Sequence, residues 1–246
     1  QSNRFWTWAE ANKSGGVNYL INYGTLATYE FSVPTIEQQK EVVSKVLAAY
    51  ELKQSYRGMI SATDEMVKSR FIEMFGDTHK RTEDSRQWKD VVKIVNGKDY
   101  KSVQVEVGGY PVYGTGGEMA RSSEYLCPEN SVLLGRKGTI DKPLLVKEKY
   151  WNVDTAFGVV PNATVLDYIY FFWHCKFTDF RLLNKGTTLP STTKADLLNL
   201  WVLIPEMSKQ KEFASIVEQA DKSKFELKKS IEAIDKVIMS LINESL

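Results

Sequence analysis

Pro34-Thr35-Ile36-Glu37-Gln38-Gln39-Lys40-Glu41 and Pro205-Glu206-Met207-Ser208-Lys209-Gln210-Lys211-Glu212 stand 171 residues apart and share Pro, Gln, Lys and Glu in register. The same offset continues without a gap. Ser44 meets Ser215, Val46 meets Val217, Ala49 meets Ala220, Lys53 meets Lys224, Ile60 meets Ile231 and Asp64 meets Asp235. Two copies of one unit flank a dissimilar middle.

The repeated unit has the periodicity of a helix. Phe213, Val217, Ala220, Lys224, Leu227, Ile231, Ile234, Ile238 and Leu241 follow alternating steps of four and three, which is a heptad seam. Val42, Val46, Ala49, Lys53, Tyr56, Ile60, Thr63, Val67 and Arg70 repeat that spacing in the first copy, with Lys in the same slot. Each run opens behind a proline and contains none, and only Gly58 interrupts the first. A helix of some forty residues spans roughly 60 Å at about 1.5 Å per residue and cannot bury its stripe against itself. A generic amphipathic core helix would show one such stripe. Two stripes at constant offset point instead to an antiparallel coiled coil, with Lys53 and Lys224 as polar seam positions that set register. The chain between the copies must return for them to pair.

The repeat also extends upstream. Gly15-Gly16-Val17-Asn18 aligns with Gly186-Thr187-Thr188-Leu189, Leu26 with Leu197, and the strand-like Phe31 to Val33 with Trp201 to Ile204. Residues 1–34 therefore read as the closing part of a domain whose beginning is absent. The expected organisation is a remnant of a first domain over 1–34, a long helix over 35–76, a second domain over 77–204 and a second long helix over 205–246.

The middle has another texture: short apolar runs broken by Gly, Pro, Asn and Asp, which read as mainly β. Val91 to Val95, Ser131 to Leu134, Leu144 to Val146 and Ala156 to Val160 are candidate strands. Val165 to Phe177 and Lys194 to Asn199 are candidate helices. The fold class is α+β, a mainly β domain with short helices flanked by two long paired ones. The loops between are Asn96 to Lys101, Tyr113 to Gly117, Gly135 to Thr139 and Lys185 to Lys194. They combine glycines that let main-chain N–H groups approach a ligand with hydroxyls and a nearby Lys or Arg, as a phosphate backbone or base edge requires. Any one of them is also compatible with a plain tight turn.

Composition limits the remaining choices. At 246 residues, 43% hydrophobic and 26% charged, the chain can hold one or two cored domains. Net charge is only +1, and residues 97–142 carry six basic and six acidic side chains, so a positive surface must come from arrangement rather than excess. Cys127 and Cys175 lack metal-ligand spacing and read as buried thiols of a cytoplasmic protein. The longest apolar stretch, Tyr168 to Trp173, is too short for a membrane span. No GxxxxGK[ST], HExxH or GxSxG motif occurs, and neither His79 nor His174 has a ligand-spaced partner. His174 reads as a packed helix position, His79 as an exposed linker residue. An independent enzyme is not expected.

Five short motifs occur in one order: Trp88…Val92-Lys93-Ile94-Val95-Asn96-Gly97-Lys98, Tyr110-Pro111-Val112-Tyr113-Gly114-Thr115-Gly116-Gly117, Leu134-Gly135-Arg136-Lys137-Gly138-Thr139-Ile140, Asp154-Thr155-Ala156-Phe157 and Lys185-Gly186-Thr187-Thr188. Ile204-Pro205 and Gln210-Lys211 then lead into the second helix. This resembles the second target recognition domain and both conserved helices of a type I restriction-modification specificity (S) subunit. The resemblance implies a non-catalytic subunit that reads one half of a bipartite double-stranded DNA target per recognition domain. Its helices would set the spacing and dock two methyltransferase (M) subunits, with restriction (R) subunits joining for cleavage. S-adenosylmethionine, ATP and Mg would bind the partner subunits, and this chain would hold no cofactor, metal or membrane. Half-length subunits that work as homodimers also occur in the family, but residues 1–34 favour a longer subunit.

Within that reading Arg136 and Lys137 are the first candidates for DNA contact, followed by Tyr113, Thr115, Lys98, Arg121, Thr139, Lys185, Thr187, Thr188 and Lys194. Two alternatives remain open: a coiled-coil scaffold that binds no DNA, and the target-recognition portion of a fused restriction-methyltransferase enzyme.

Overall fold

A computed structural model describes residues 3–16, 19–30, 33–186 and 188–244. In chain order the elements are α1 (Asn3–Asn12), α2 (Tyr23–Leu26), α3 (Ile36–Phe75), β1 (Ser85–Gln87), α4 (Trp88–Val91), β2 (Val92–Asn96), β3 (Gln104–Val105), β4 (Tyr110–Gly114), β5 (Gly117–Ser122), β6 (Ser131–Gly135), β7 (Leu144–Val146), β8 (Trp151–Asn152), β9 (Ala156–Pro161), α5 (Tyr168–Phe177), α6 (Lys194–Leu198), β10 (Trp201–Leu203) and α7 (Met207–Glu244). They fall into two compact units, one of Gln1–Met66 with Ala220–Leu246 and one of Val67–Gln219.

In the first unit α3 and α7 pair antiparallel. Helix α3 starts at a capping box, Thr35 N–H donating to Gln38 Oε1 at 2.9 Å and Gln38 N–H to Thr35 Oγ1 at 3.3 Å. The expected seam is the covered stripe: Val42, Val46, Ala49, Lys53, Tyr56, Ile60 and Thr63 are half-buried, as are Lys224, Leu227, Ile231, Ile234, Ile238 and Leu241. Two ion pairs cross it, Lys53 with Asp235 and Lys224 with Asp64, the latter at 2.8 Å. Partner numbers run in opposite directions along the two helices. The 171-residue offset carries Lys53 onto Lys224 and Asp64 onto Asp235, so each pair is the two-fold image of the other.

The repeat is also visible in the hydrogen bonds upstream. Ser14 N–H donates to Leu20 O at 2.9 Å, and Lys185 N–H to Ser191 O at 3.0 Å. Asn22 caps α2 through Thr25 N–H, as Thr193 caps α6 through Asp196 N–H. Gln39 Nε2 donates to Pro34 O at 2.7 Å, and Gln210 Nε2 to Pro205 O at 2.8 Å. Each second contact lies 171 residues after the first.

Among the described residues the second unit holds three sheets, in strand orders β2-β9-β6-β7, β3-β5-β4-β8 and β1-β10. All pairings are antiparallel except β4 with β8. Strand β6 is buried along its length. The end of α3 and the start of α7 belong to this unit and enclose an aromatic cluster. Phe213 lies edge-on to Phe71 at 5.2 Å, to Phe75 at 5.7 Å and to Trp173 at 5.8 Å, and Tyr170 meets Phe75 at 4.8 Å. Of the remaining expected seam residues, Val67, Phe213 and Val217 are buried in this unit and Arg70 is half-buried, while Ala220, buried too, falls in the first unit.

Several expectations shift. Val91 ends the short helix α4, so the strand begins at Val92. Helix α5 begins at Tyr168 rather than Val165, because the Asp167 carboxylate accepts from Ile169 and Tyr170 N–H and fixes the start there. Tyr113 to Gly117, read as a loop, is a hairpin: β4 and β5 pair across the two-residue turn Thr115-Gly116, and Gly117 takes φ 115°. Of the strand-like Phe31 to Val33, residues 31 and 32 lie outside the described residues. His174 is packed as expected and fully buried, and burial, with His79 adjacent, holds its imidazole well below the ordinary range. His79 is not a free linker residue. Its ring stacks on His174 at 4.5 Å and its Nε2 meets Thr178 Oγ1 at 2.8 Å. No helix among the described residues is long and apolar enough to cross a membrane.

Candidate nucleic-acid interface

Strand β6 ends at Gly135, where a Cβ would lie 1.9 Å from the Thr139 carbonyl oxygen. Only glycine lets the chain double back so closely, and Gly138 completes the loop at φ 81°. Two other segments clamp this loop through its backbone. Arg136 and Lys137 N–H donate to Thr155 O at 2.8 and 3.2 Å. From the other side Thr192 N–H donates to Arg136 O at 3.0 Å, and Gly138 N–H to Pro190 O at 2.9 Å. Thr192 Oγ1 also donates to Gly135 O at 3.0 Å. The backbone is fixed, and the Arg136 and Lys137 side chains are exposed.

These segments enclose a groove of about 410 Å³ lined by Asn96, Arg136, Lys137, Phe157 and residues 191–194. Three motifs separated by tens of residues thus meet at one end of the β2-β9-β6 sheet. Phe157 and Thr192 are the buried members, and the Arg136 guanidinium lies 5.9 Å from the Phe157 ring centroid. Of the expected contact residues, Arg136, Lys137 and Lys194 are brought together here.

Ion pairing separates the other basic candidates. Arg121 sits beside Glu118 at 3.4 Å, and Lys185 beside Asp196 at 2.8 Å. The Asp196 carboxyl is lowered first by Lys185 and then by Thr193. Lys194 Nζ donates to Ile94 O at 2.9 Å. Arg136 keeps one 3.4 Å contact with the Asp154 carbonyl, and no counter-ion is paired with Arg136, Lys137 or Lys98 among the described residues. Thr139 and Thr188 are exposed, and Thr187 lies outside the described residues.

Thr115 lines a different cleft of about 510 Å³ together with Asp99, Glu118 and Asp154. Three carboxylates make it a poor seat for phosphate. Tyr113 donates to Glu148 at 3.4 Å, and burial first, then Glu148 and Glu118, raises its phenol above the usual range. Asn96, Phe157 and residues 191–193 were not among the residues expected to contact DNA. Asn96 and Phe157 lie inside the quoted motifs and residues 191–193 in the Lys185 to Lys194 loop, but nothing in the order of residues shows that these segments converge. Among the described residues no cluster of His, Cys, Asp or Glu is placed to hold a metal ion.

The family model for the type I restriction modification DNA specificity domain matches residues 82–235, a span that contains the clamped loop and every wall of the groove. This chain belongs to that family. A comparison with curated proteins returns no match. Solved structures share the fold of the specificity-domain chain. The S subunit of a type I restriction-modification system from M. genitalium is 13% identical with a TM-score of 0.65, over 99% of this chain and 72% of that one. A structure described as the basis of complex assembly and conformational transition of the type I R-M system is 17% identical with a TM-score of 0.68, over 99% and 68%. The HsdS subunit from Thermoanaerobacter tengcongensis is 16% identical with a TM-score of 0.56, over 99% and 67%.

Proposed function

We propose that this specificity-family chain reads one half of a bipartite double-stranded DNA target through the groove around Arg136. In this reading its paired helices set the spacing between half-sites and dock methyltransferase subunits. The chemistry belongs to partners: methyl transfer with S-adenosylmethionine on the methyltransferase subunits, and ATP- and Mg-dependent cleavage on restriction subunits. The observation that carries the reading is the clamped Gly135–Thr139 loop, which holds two exposed basic side chains, without counter-ions among the described residues, at the lip of a polar groove. Such an arrangement supplies local positive charge in a chain with almost no net charge.

Duplex-DNA binding by fluorescence anisotropy over a salt series tests this. The double variant Arg136→Ala/Lys137→Ala is expected to lose about tenfold or more in affinity and to flatten the salt dependence, since two phosphate- or base-contacting cations are gone. Arg121→Ala and Lys185→Ala should change it little, because both charges are already neutralised within the fold. Equal binding by wild type and the double variant would remove the groove from the interface and favour a scaffold.

A further inference from the structure

The groove contains more polar groups than it has free to offer. Thr192 Oγ1 is committed to Gly135 O, Thr193 Oγ1 to the cap of α6, and Lys194 Nζ to Ile94 O. Lys137 is a point charge suited to a phosphate. Two groups with bidentate geometry remain. The Asn96 amide, exposed at the end of β2, makes no hydrogen bond among the described residues. Arg136 spends only Nη1, in its 3.4 Å contact to Asp154 O, and leaves the rest of its fork open.

The sheet fixes their relation. Asn96 pairs with Phe157 in register on the central strand β9, and Phe157 pairs with Leu134, two residues before Arg136. Asn96 and the Gly135-Arg136 corner are thus two strand spacings apart across the sheet and one to two residues apart along it, about 10 to 12 Å. Bases along one strand rise about 3.4 Å each, so the two groups span about three steps. Phe157, buried between them, offers an apolar floor.

We infer that Asn96 and Arg136 are the base-reading pair of this groove, Asn96 taking an adenine and Arg136 a guanine no more than about three steps away. The amide matches adenine N6 and N7, and the guanidinium matches guanine O6 and N7. This rests on the DNA-reading function proposed above and assigns its specificity to two side chains.

The test is selection of a randomised duplex pool by the full chain, wild type against Asn96→Asp and Arg136→Lys. Asn96 is exposed, so its near-isosteric replacement leaves the fold intact. Wild type should enrich a motif with adenine and guanine within three positions. Asn96→Asp should replace that adenine alone by cytosine, whose N4 donates to a carboxylate, with about a tenfold or greater change in preference. Arg136→Lys should blur the guanine alone while retaining binding to unselected DNA. If both variants select the wild-type motif, or lose all positions equally, the assignment is wrong. Failure of wild type to enrich any motif would overturn the DNA-reading function itself.

Discussion

Leu26 is 43% exposed and its counterpart Leu197 is 1% exposed, although each sits in a turn closed by the same hydrogen bonds. Both backbones run from an N-cap through one short helical turn, and both are followed by a glutamine that reaches back to a proline carbonyl. The local conformation is written in the local sequence. Burial is not, because it depends on what packs around the turn. Around Leu197 the second unit supplies α4, which packs against α6, with Trp88 fully buried and its backbone N–H donating to Leu200 O at 2.9 Å. Among the described residues the same turn is therefore open at Leu26 and enclosed at Leu197.

Paired substitutions at equivalent positions measure that difference. The largest separation is expected at Phe213 and Val42, which occupy the same slot. Phe213→Ala empties the centre of the aromatic cluster and should cost about 3–5 kcal/mol in chemical denaturation. Val42→Ala, on a half-buried helix surface, should cost about 1 kcal/mol or less. Equal losses would break the contrast. Gln210 and Gln39 come next. The buried Gln210 side chain donates to Val165 O and Pro205 O and accepts from Asp167 N–H, so Gln210→Ala leaves several groups unpaired and should cost about 2–3 kcal/mol. Gln39 makes the proline contact and is less enclosed, and its alanine variant should lose about 1 kcal/mol or less.

The smallest effect belongs to the cross-helix ion pairs, where the copies act alike. Lys53→Asp should cost about 1 kcal/mol, and adding Asp235→Lys should restore most of it in a double-mutant cycle. Desolvation opposes the charge on Lys224, but Asp64 and Asp221 outweigh it and raise its pKa above the ordinary 10.5. The contribution is therefore complete below about pH 10.5 and fades only as pH rises through the higher folded value. A denaturation series should show no loss from this pair between pH 7 and 10, and continued above pH 10.5 it should show a smaller alkaline decline in Lys224→Met than in wild type.

The helix seam was legible because heptad spacing is a property of adjacent turns. Strands β6, β7 and β9 were legible as apolar runs between breakers. The β4–β5 hairpin was not, because β5 carries polar Glu118, Arg121 and Ser122 with only Met119 and Ala120 as apolar side chains, and its Gly-rich turn looks like an open loop. For the candidate site, Arg136 and Lys137 were visible as exposed charge on a Gly-flanked loop. Neutralisation of Lys185 by Asp196 depends on a contact across a loop, and the place of Asn96 depends on strand order. Neither is a local property.

Each long helix carries a lysine and, eleven residues on, an aspartate: Lys53 with Asp64, and Lys224 with Asp235. Read head to tail, such a helix is its own complement, in the way a palindrome matches its reverse. Copying a gene segment that encodes one of them produces a matched partner with no further change. A slip of either helix along the other misplaces both bonds together, so the pairing checks its own alignment at two points.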